Sequence, residues 1–387
     1  MISFALCNPT DIRFGKGQIA ALNGLVAPDA VVLLLYGGGS ILRNGIEQQV
    51  RAALAGRHIV AFGGVEANPT YETLQRATAE GRARGVDLVL GVGGGSVVDA
   101  AKFLAAMIAV DENDPWDRFV SGDFPTNTLP VGAVLTLAAT GSESNAVSVI
   151  SSVKRDLKLP FCNERARPRF AILDPSTLVS LSRRQLENGV VDAFTHVLEQ
   201  YMTWPVNAPV QYGYGETLMR VLVQWGPRLV VEGSSESEED EARENIMWAA
   251  NQALNGLLGA GVPQDWSTHM IGHAITAVYG IDHARTLSAV MPSLMRHELH
   301  RKKAMLARLG RTVWGIEGQD EEQVAASAID ATEDFFRRMG CPVKPSELGI
   351  AFDAEAIIDH LVRAEQVQLG EHGMIGPDDV RHILRTR

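Results

Sequence analysis

The first half of the chain alternates short apolar runs with helical patterns, and glycine follows several of the apolar runs. These runs are rich in Val, Leu and Ile, are typical of buried strands, and occupy residues 30–36, 58–62, 88–92, 130–137 and 170–173. Helical spacing occurs between them at residues 45–55, 71–84 and 97–110. Strands that alternate with helices favour a mostly parallel sheet with helices on its faces, so we predict an α/β domain.

The second half of the chain has few strand patterns and many long helical ones. The helical segments are residues 184–201, 211–223, 239–258, 266–279, 301–313, 321–339 and 353–364. Pro175 follows Asp174 and ends the last strand pattern. Because 387 residues exceed what one hydrophobic core usually holds, we predict two domains, an α/β domain at residues 1–180 and an all-helical domain at residues 181–387.

Composition restricts the partners and the compartment. The formal charge is −11, from 35 basic and 46 acidic residues, which argues against a nucleic-acid partner because that binding depends on basic side chains. The three cysteines are widely spaced and form no CxxC pair, as in reduced cytosolic proteins. Apolar stretches such as residues 103–110 are far shorter than the roughly 20 residues of a membrane span. We therefore expect a cytoplasmic protein with no membrane partner.

The sequence Gly-Gly-Gly-Ser occurs twice, at residues 37–40 and 93–96. The second run follows a strand and opens a helix, where backbone N–H groups and the helix dipole attract phosphate. The dinucleotide fingerprint GxGxxG is present only as Gly91-x-Gly93, and no lysine follows at the Walker position. A tight strand–helix turn without a ligand is therefore an open alternative.

A third segment, residues 136–145 (TLAATGSESN), places small hydroxyl residues and a glycine after a strand. Such side chains can bond a ribose, a phosphate or an amide. Turns that follow successive parallel strands meet at one edge of the sheet, where α/β folds bind ligands. Ordinary helix capping by Thr140 and Ser142 is the alternative.

Carboxylate and imidazole groups recur at helical spacing in the second half. Asp192 and His196 are four residues apart, as are His269 and His273, and His283 follows a glycine shortly afterwards. Residues four apart share a helix face, and both residue types bind divalent metals such as iron or zinc. Four of these five side chains would complete a metal shell, and spacing alone does not choose among them. A solvated ion pair is the alternative for Asp192 and His196.

Taken together, these segments resemble the iron-containing (group III) alcohol dehydrogenases, and within them the NADPH-dependent aldehyde reductases. The motifs that carry the resemblance are residues 13–17 (RFGKG), 93–102, 139–146, 188–201, 248–273 and 280–288. The resemblance implies a Rossmann-like parallel-sheet domain followed by an all-helical domain, the dehydroquinate synthase-like fold, with the active site in the cleft between them.

The resemblance also assigns roles to residues. It implies one divalent metal, Fe(II) or Zn(II), on Asp192, His196, His269 and His283, and leaves His273 beside the nicotinamide, so that all five act in catalysis. It implies contacts to NADP(H) from a larger set, namely Gly37, Gly38, Ser40, Asn68, Gly93, Gly94, Gly95, Ser96, Asp99, Thr136, Thr140, Asn145, Lys158 and Leu178.

Two features bear on how the nucleotide binds. NAD-specific relatives tend to carry an aspartate after the first strand, and here no acid lies between Tyr36 and Asn44. The first glycine run is therefore expected to accept the 2′-phosphate of NADP(H). Relatives often have hydroxyl residues where residues 137–139 are Leu-Ala-Ala, so one or two hydroxyl contacts to the cofactor are expected to be absent.

The activity that the resemblance implies is reduction of short- and medium-chain, butanal-type aldehydes to primary alcohols. The metal polarises the carbonyl oxygen, the nicotinamide gives the hydride, and water or a relay through His273 supplies the proton. A homodimer is expected, paired through Ile2–Cys7. Two alternatives are a dehydroquinate synthase-like lyase, whose phosphorylated substrate needs a basic cluster that is not seen around the ligand segments of the helical half, and a metal- or nucleotide-binding protein without turnover.

Overall fold

A computed structural model describes residues 1–231 and 235–385 of the chain. Two compact units are present, Cys7–Leu181 on one hand and Met1–Leu6 with Ser182–Arg387 on the other. The sequence prediction assigned residues 1–180 to the α/β domain, whereas in the structure the first six residues group with the helices. There the backbone N–H of Ile2 donates to the carbonyl of Gly261 over 2.9 Å.

The unit Cys7–Leu181 is built on a six-stranded parallel sheet in the order β1-β8-β5-β4-β2-β3, accompanied by a β6–β7 antiparallel hairpin. The strands are β1 (Asp11–Phe14), β2 (Val31–Tyr36), β3 (His58–Phe62), β4 (Leu88–Gly93), β5 (Val131–Leu135), β6 (Val147–Ser152), β7 (Leu157–Cys162) and β8 (Phe170–Leu173). The helices are α1 (Leu22–Leu25), α2 (Ser40–Arg43), α3 (Ile46–Ala53), α4 (Tyr71–Ala83), α5 (Gly95–Ile108) and α6 (Trp116–Val120).

Both faces of this sheet are buried, which explains the continuous apolar runs. In β2, Leu33 and Leu35 join the core beneath α4 and α5, while Val32 and Leu34 join the core beneath α1 and α3. Side chains alternate across a strand, so a strand covered on both sides is apolar at every position. The predicted α/β class is confirmed.

The second unit is helical. Its helices are α7 (Arg183–Tyr201), α8 (Pro209–Val230), α9 (Glu236–Ala253), α10 (Ser267–Tyr279), α11 (His283–His297), α12 (Leu299–Thr312), α13 (Glu321–Arg338), α14 (Ala354–Arg363) and α15 (Pro377–Arg385). The predicted helical half is confirmed. Within the described residues, no helix is both long and apolar enough to cross a membrane.

Local signals fix the ends of the helices that matter most for the site. Ser182 and Gln185 form a capping box at the start of α7. Gly280, at a φ of 68°, ends α10 in the left-handed conformation that glycine adopts without strain. Consequently His283 lies at the first position of α11, a few residues after the helix that carries His269 and His273.

Several elements lack a clear sequence pattern, and the ends of two helices differ from the prediction. No structure was predicted for α1, α2, β1, the β6–β7 hairpin, α6, α11 or α15, and the helix predicted at residues 239–258 ends at Ala253. Strand β1 is largely exposed, and α11 contains Pro292, so neither has the usual apolar or helical pattern. Helix α8 was predicted to end at residue 223 but runs to Val230, because Gly226 packs closely against Val190 of α7 and the helix continues through Pro227.

Candidate metal centre and nucleotide site

The two Gly-Gly-Gly-Ser runs follow strands that are neighbours in the sheet. Strand β2 pairs with β3 on one side and with β4 on the other. After β3 the chain therefore crosses to the opposite side of β2, and β2 and β4 form a topological switch point. In open α/β sheets the crevice at the carboxyl ends of such a strand pair binds ligands. The segment 136–145 follows β5, the next strand across, so all three predicted turns lie at this edge.

The turn after β4 packs tightly against the turn after β5. The backbone N–H of Thr136 donates to the carbonyl of Gly93 over 2.9 Å. A Cβ atom on Gly93 would lie 2.5 Å from Val97, and one on Gly95 would collide with the side chain of Thr140. Gly95 is also the first residue of α5. Glycine is therefore required here, and the half-buried Gly94 and Ser96 leave the N-terminus of α5 partly open, in the form that binds phosphate.

Two predicted cofactor residues, Asp99 and Asn145, hold this region together. Asp99 accepts hydrogen bonds from the Ser142 hydroxyl and, over 2.9 Å, from the N–H of Val149. The Asn145 amide donates to Gly141 and accepts from Val147. In the structure both side chains therefore support the turn on which the other predicted contacts lie.

Lys102 was missed by the sequence analysis although it organises the same turn. Its side chain is 1% exposed, and its ammonium donates to the Ser142 carbonyl, to Asn145 Oδ1 and to the Val147 carbonyl. Burial lowers the pKa of Lys102, and Asp99, 3.4 Å away, opposes that shift. A lysine at helical spacing gives no sign of such burial, because its partners lie about 40 residues further along the chain.

The structure brings other predicted cofactor residues to the same sheet edge. Lys158 on β7 donates to Asn68 Oδ1 over 2.9 Å. Leu178 is buried in the 3₁₀ turn after β8, and that turn is tied to β5 because the hydroxyl of Thr177 donates to the Leu135 carbonyl. In the first glycine run, by contrast, Gly38 and Ser40 are exposed and Gly37 is half-buried.

The predicted metal ligands on α7 and α10 converge in the helical unit. Asp192, His196 and His269 are buried, and each offers one ligand atom within 4.8 Å of the others. The rings of His196 and His269 stack with centroids 4.6 Å apart. One carboxylate with imidazoles is a donor set that suits a divalent transition metal, so these residues fit the metal that the sequence predicts.

The remaining two histidines lie beside this cluster. His283 Nε2 is 3.9 Å from Asp192 Oδ1, and its ring is 5.3 Å from that of His269. His273 stacks on His283 at 4.8 Å and is 6.0 Å from His269. The structure therefore places all five predicted side chains together, with His283 next to the carboxylate and His273 behind it.

Glu199 is a residue of this centre that the sequence analysis missed. It lies on α7, three residues after His196, and its side chain is 3% exposed. One carboxylate oxygen accepts from the N–H groups of Thr268 (2.6 Å) and His269 (3.4 Å), and the other contacts His269 Nδ1. Its spacing from Asp192 and His196 puts it on the same face of α7, which is the pattern that could have revealed it.

A buried charged cluster lies next to Glu199. Lys302 contacts Asp265 and, over 2.9 Å, donates to Glu371. Burial raises the pKa of Glu199 well above its ordinary value, with Asp265 adding to the shift, whereas the N–H groups of Thr268 and His269 and the ammonium of Lys302 favour its ionised form. Burial also raises the pKa of Glu371 to about 7, whereas Lys302 holds the pKa of Asp265 below its ordinary value. Two carboxyls thus share one ammonium, and Glu371 is the one that keeps its proton to higher pH.

Trp266 also lies beside the histidines. Its backbone has a φ of 63°, a conformation that costs a non-glycine residue free energy. The half-buried indole approaches His196 and His269 edge-on, with centroids 6.2 and 5.3 Å away. The sequence analysis did not include this residue in the site, because a tryptophan at helical spacing usually packs in the core.

Two family models match the chain, and together they cover most of it. The description of the first is "iron-containing alcohol dehydrogenase" and it matches residues 9–175, while the second is the C-terminal model of the same family and matches residues 187–387. The chain belongs to the iron-containing alcohol dehydrogenase family. This match decides against the lyase alternative and confirms the resemblance on which the residue roles were assigned.

Named relatives span the whole chain. The chain is 46% identical over 390 residues to the NADPH-dependent aldehyde reductase YqhD of Escherichia coli, with all of both chains covered. It is 35% identical over 391 residues to the NADH-dependent butanol dehydrogenase A of Clostridium acetobutylicum, covering 100% of this chain and 99% of that one.

Solved structures agree with the fold. The crystal structure of E. coli YqhD superposes with a TM-score of 0.95 at 44% identity and covers 99% of this chain and 98% of that one. A butanol dehydrogenase A from Thermotoga maritima gives 0.93 at 34% identity, with 100% and 98% covered. The family and the site together support a nucleotide cofactor and a metal.

Proposed function

We propose that this protein is a metal-dependent NADP(H) alcohol dehydrogenase that reduces short- and medium-chain, butanal-type aldehydes to primary alcohols. The observation that carries the proposal is the convergence of Asp192, His196 and His269 within 4.8 Å in a chain of this family. The relatives named as an aldehyde reductase and a butanol dehydrogenase support the substrate class.

Each unit supplies one part of the chemistry. When bound, a divalent cation supplies a Lewis acid for a carbonyl oxygen, and reduced nicotinamide supplies a hydride. Asp192, His196, His269 and His283 would hold the cation. The turn 93–96 would hold the pyrophosphate, because its glycines and the start of α5 present backbone N–H groups.

The turn after β2 supports a preference for NADP(H). It has no acidic side chain that would repel a 2′-phosphate. Arg43 lies one turn further on, with Nη1 3.9 Å from the position of a Cβ on Gly39, and its charge can attract the phosphate. The relatives include both NADPH- and NADH-dependent enzymes, so the cofactor preference differs within the family, and we propose that this turn sets it here.

His273 is proposed to pass a proton towards the alcohol oxygen, with water as the other source. Its support is the 4.8 Å stack on His283 beside the proposed ligands. His273→Ala should lower kcat and change its pH profile while the metal content stays the same. The exposed His372, whose ring centroid lies 4.4 Å from that of Trp204, provides the control His372→Ala. An unchanged kcat and pH profile in His273→Ala would remove the residue from the relay and leave water.

We also propose which metals the site can bind, an oligomeric state and a cellular compartment. Either Fe(II) or Zn(II) suits the ligands, and elemental analysis of protein purified without chelator identifies the one that is bound. A cytoplasmic location and a homodimer are proposed, and the dimer is supported by Ile2, Phe4 and Leu6, which alternate and are each about half exposed, as in a strand that lacks its pairing partner. Residues 1–10 have no regular structure in the single chain, and light scattering would measure the oligomer.

The test of the proposed function is NADPH oxidation followed at 340 nm with butanal. We expect aldehyde-dependent turnover by metal-loaded protein. Asp192→Asn should reduce it at least about a hundredfold, since a Lewis acid is worth several kcal/mol. Metal-replete protein that oxidises no NADPH in the presence of short aldehydes would contradict the proposal.

A further inference from the structure

The helix α10 begins in an unusual way. Trp266 precedes it and has no side-chain oxygen to accept from the first N–H groups, so residues other than the N-cap have to accept them. Asp265 accepts from Ser267, and Glu199 of α7 accepts from Thr268 and His269. A carboxylate from another helix therefore completes the start of the helix that carries His269.

The same carboxylate controls which nitrogen of His269 is available. Glu199 Oε2 contacts Nδ1 of His269, so Nε2 is the nitrogen left to face Asp192 and His196. An imidazole that binds a metal through Nε2 carries its proton on Nδ1 and donates it to a neighbouring acceptor. Oxygen Oε1 is held by two backbone N–H groups, and this fixes the orientation of the carboxylate.

We propose that Glu199 is a positioning residue of the metal centre, holding His269 as an Nε2 ligand for a divalent cation. This inference rests on the proposed function, because it requires that the cluster binds metal. Helix α7 then contributes two ligands, Asp192 and His196, and also the group that orients a third ligand on α10. Three positions on one face of one helix thereby define most of the site.

Glu199→Gln separates this role from simple helix capping. Gln has nearly the same shape, and its Oε1 can still accept from Thr268 and His269. Its NH₂ group would then face Nδ1 of His269 and, being a donor, would require Nδ1 to be the acceptor. The proton would move to Nε2, where a metal has to bind. A capping role alone predicts no change in metal affinity, whereas the positioning role predicts a loss.

The matched control is Glu216→Gln. Glu216 is a buried carboxylate of the same unit, bonded to the Tyr201 hydroxyl over 2.9 Å and to Arg308 over 2.6 Å. This variant loses a buried ion pair and is expected to lower stability. It touches none of the proposed ligands, so its metal affinity should match that of the wild type.

The experiment measures Zn²⁺ and Co²⁺ affinity of the full-length apoprotein against a chromophoric chelator, together with the visible spectrum of the Co²⁺ form. We expect Glu199→Gln to bind about 10–100-fold more weakly with a changed Co²⁺ band, and Glu216→Gln to bind normally. Equal affinity in Glu199→Gln and wild type, or equal weakening in both variants, would overturn the inference.

Two further outcomes distinguish a failure of the proposed function from a failure of the inference about Glu199. Wild-type protein that binds neither ion would overturn the proposed function and this inference with it, whereas tight wild-type binding that Glu199→Gln retains would overturn the inference alone.

If Glu199→Gln does not fold, Glu199→Asp takes its place. Its carboxylate is one methylene shorter, so we expect roughly three- to tenfold weaker binding and a shifted Co²⁺ band, and unchanged values of both would overturn the inference.

Discussion

Gly38 shows how one residue can set the charge that the cofactor meets. It is exposed in the turn after β2, and no atom of the described residues lies within 4 Å of the position of a Cβ atom. Its φ does not lie in the left-handed region, unlike that of Gly39 at 85°. A side chain at position 38 is therefore compatible with the fold, and its charge would act where we place the 2′-phosphate.

Gly38→Asp should shift the cofactor preference towards NADH. A carboxylate there repels the 2′-phosphate and can accept from the 2′-hydroxyl of NADH, and about 1.4 kcal/mol corresponds to a tenfold change. We expect the NADPH/NADH ratio of kcat/KM to fall about tenfold or more. Gly38→Asn is the uncharged control, and a ratio that Gly38→Asp leaves unchanged would show that the turn does not select the cofactor.

At the scale of elements, the start of α5 and the turn after β5 act as one structure. Gly95→Ala would push a methyl group into Thr140, so one of the two turns has to move. We expect NADPH to bind roughly tenfold more weakly, about 1.4 kcal/mol, by fluorescence titration, with metal content unchanged. The control is Gly24→Ala on α1, where a Cβ would meet no atom within 4 Å in the part of the chain that the structure describes. Normal NADPH affinity in Gly95→Ala would show that the contact can relax.

The charged cluster around Lys302 should make stability depend on pH. The pKa of Glu371 is raised from 4.5 to about 7, so between these pH values the folded protein holds a proton that the unfolded chain has lost. Its contribution is present below pH 4.5 and is lost as the pH rises towards 7. Relative to Glu371→Gln, we expect the wild-type free energy of unfolding to fall by about 2–3 kcal/mol over that range.

Urea unfolding at intervals between pH 5 and 8 measures this effect. Glu371→Gln stays neutral, so its curve should lack the loss that the wild type shows. Parallel pH dependences in the two proteins would mean that Glu371 titrates normally. Glu355, a half-buried carboxylate whose pKa is lowered by Arg381, gives the control Glu355→Gln, which should leave the wild-type slope between pH 5 and 7 intact.

At the scale of the whole molecule, metal binding should stabilise the fold. A ligand that binds only the folded state adds about 2.7 kcal/mol at a hundred times its Kd. Removing the metal by chelation and dialysis should therefore lower the Tm, and adding Zn²⁺ back should restore it. In Asp192→Asn, which lacks the ligand charge, the Tm should respond little to either treatment. A wild-type Tm that is independent of metal would indicate that the folded protein does not bind the metal.

The sequence by itself determined the α/β half, the helical half, the three turns at the sheet edge and the spacing of the metal-binding side chains. These follow from periodicity and from glycine and proline, which act over a few residues. Only the tertiary structure joined Glu199 to His269 across 70 residues and Lys102 to Val147 across 45. It also packed Trp266 against the histidines and extended α8 through Pro227. Such contacts depend on which helix faces meet, and no local pattern in the chain records that.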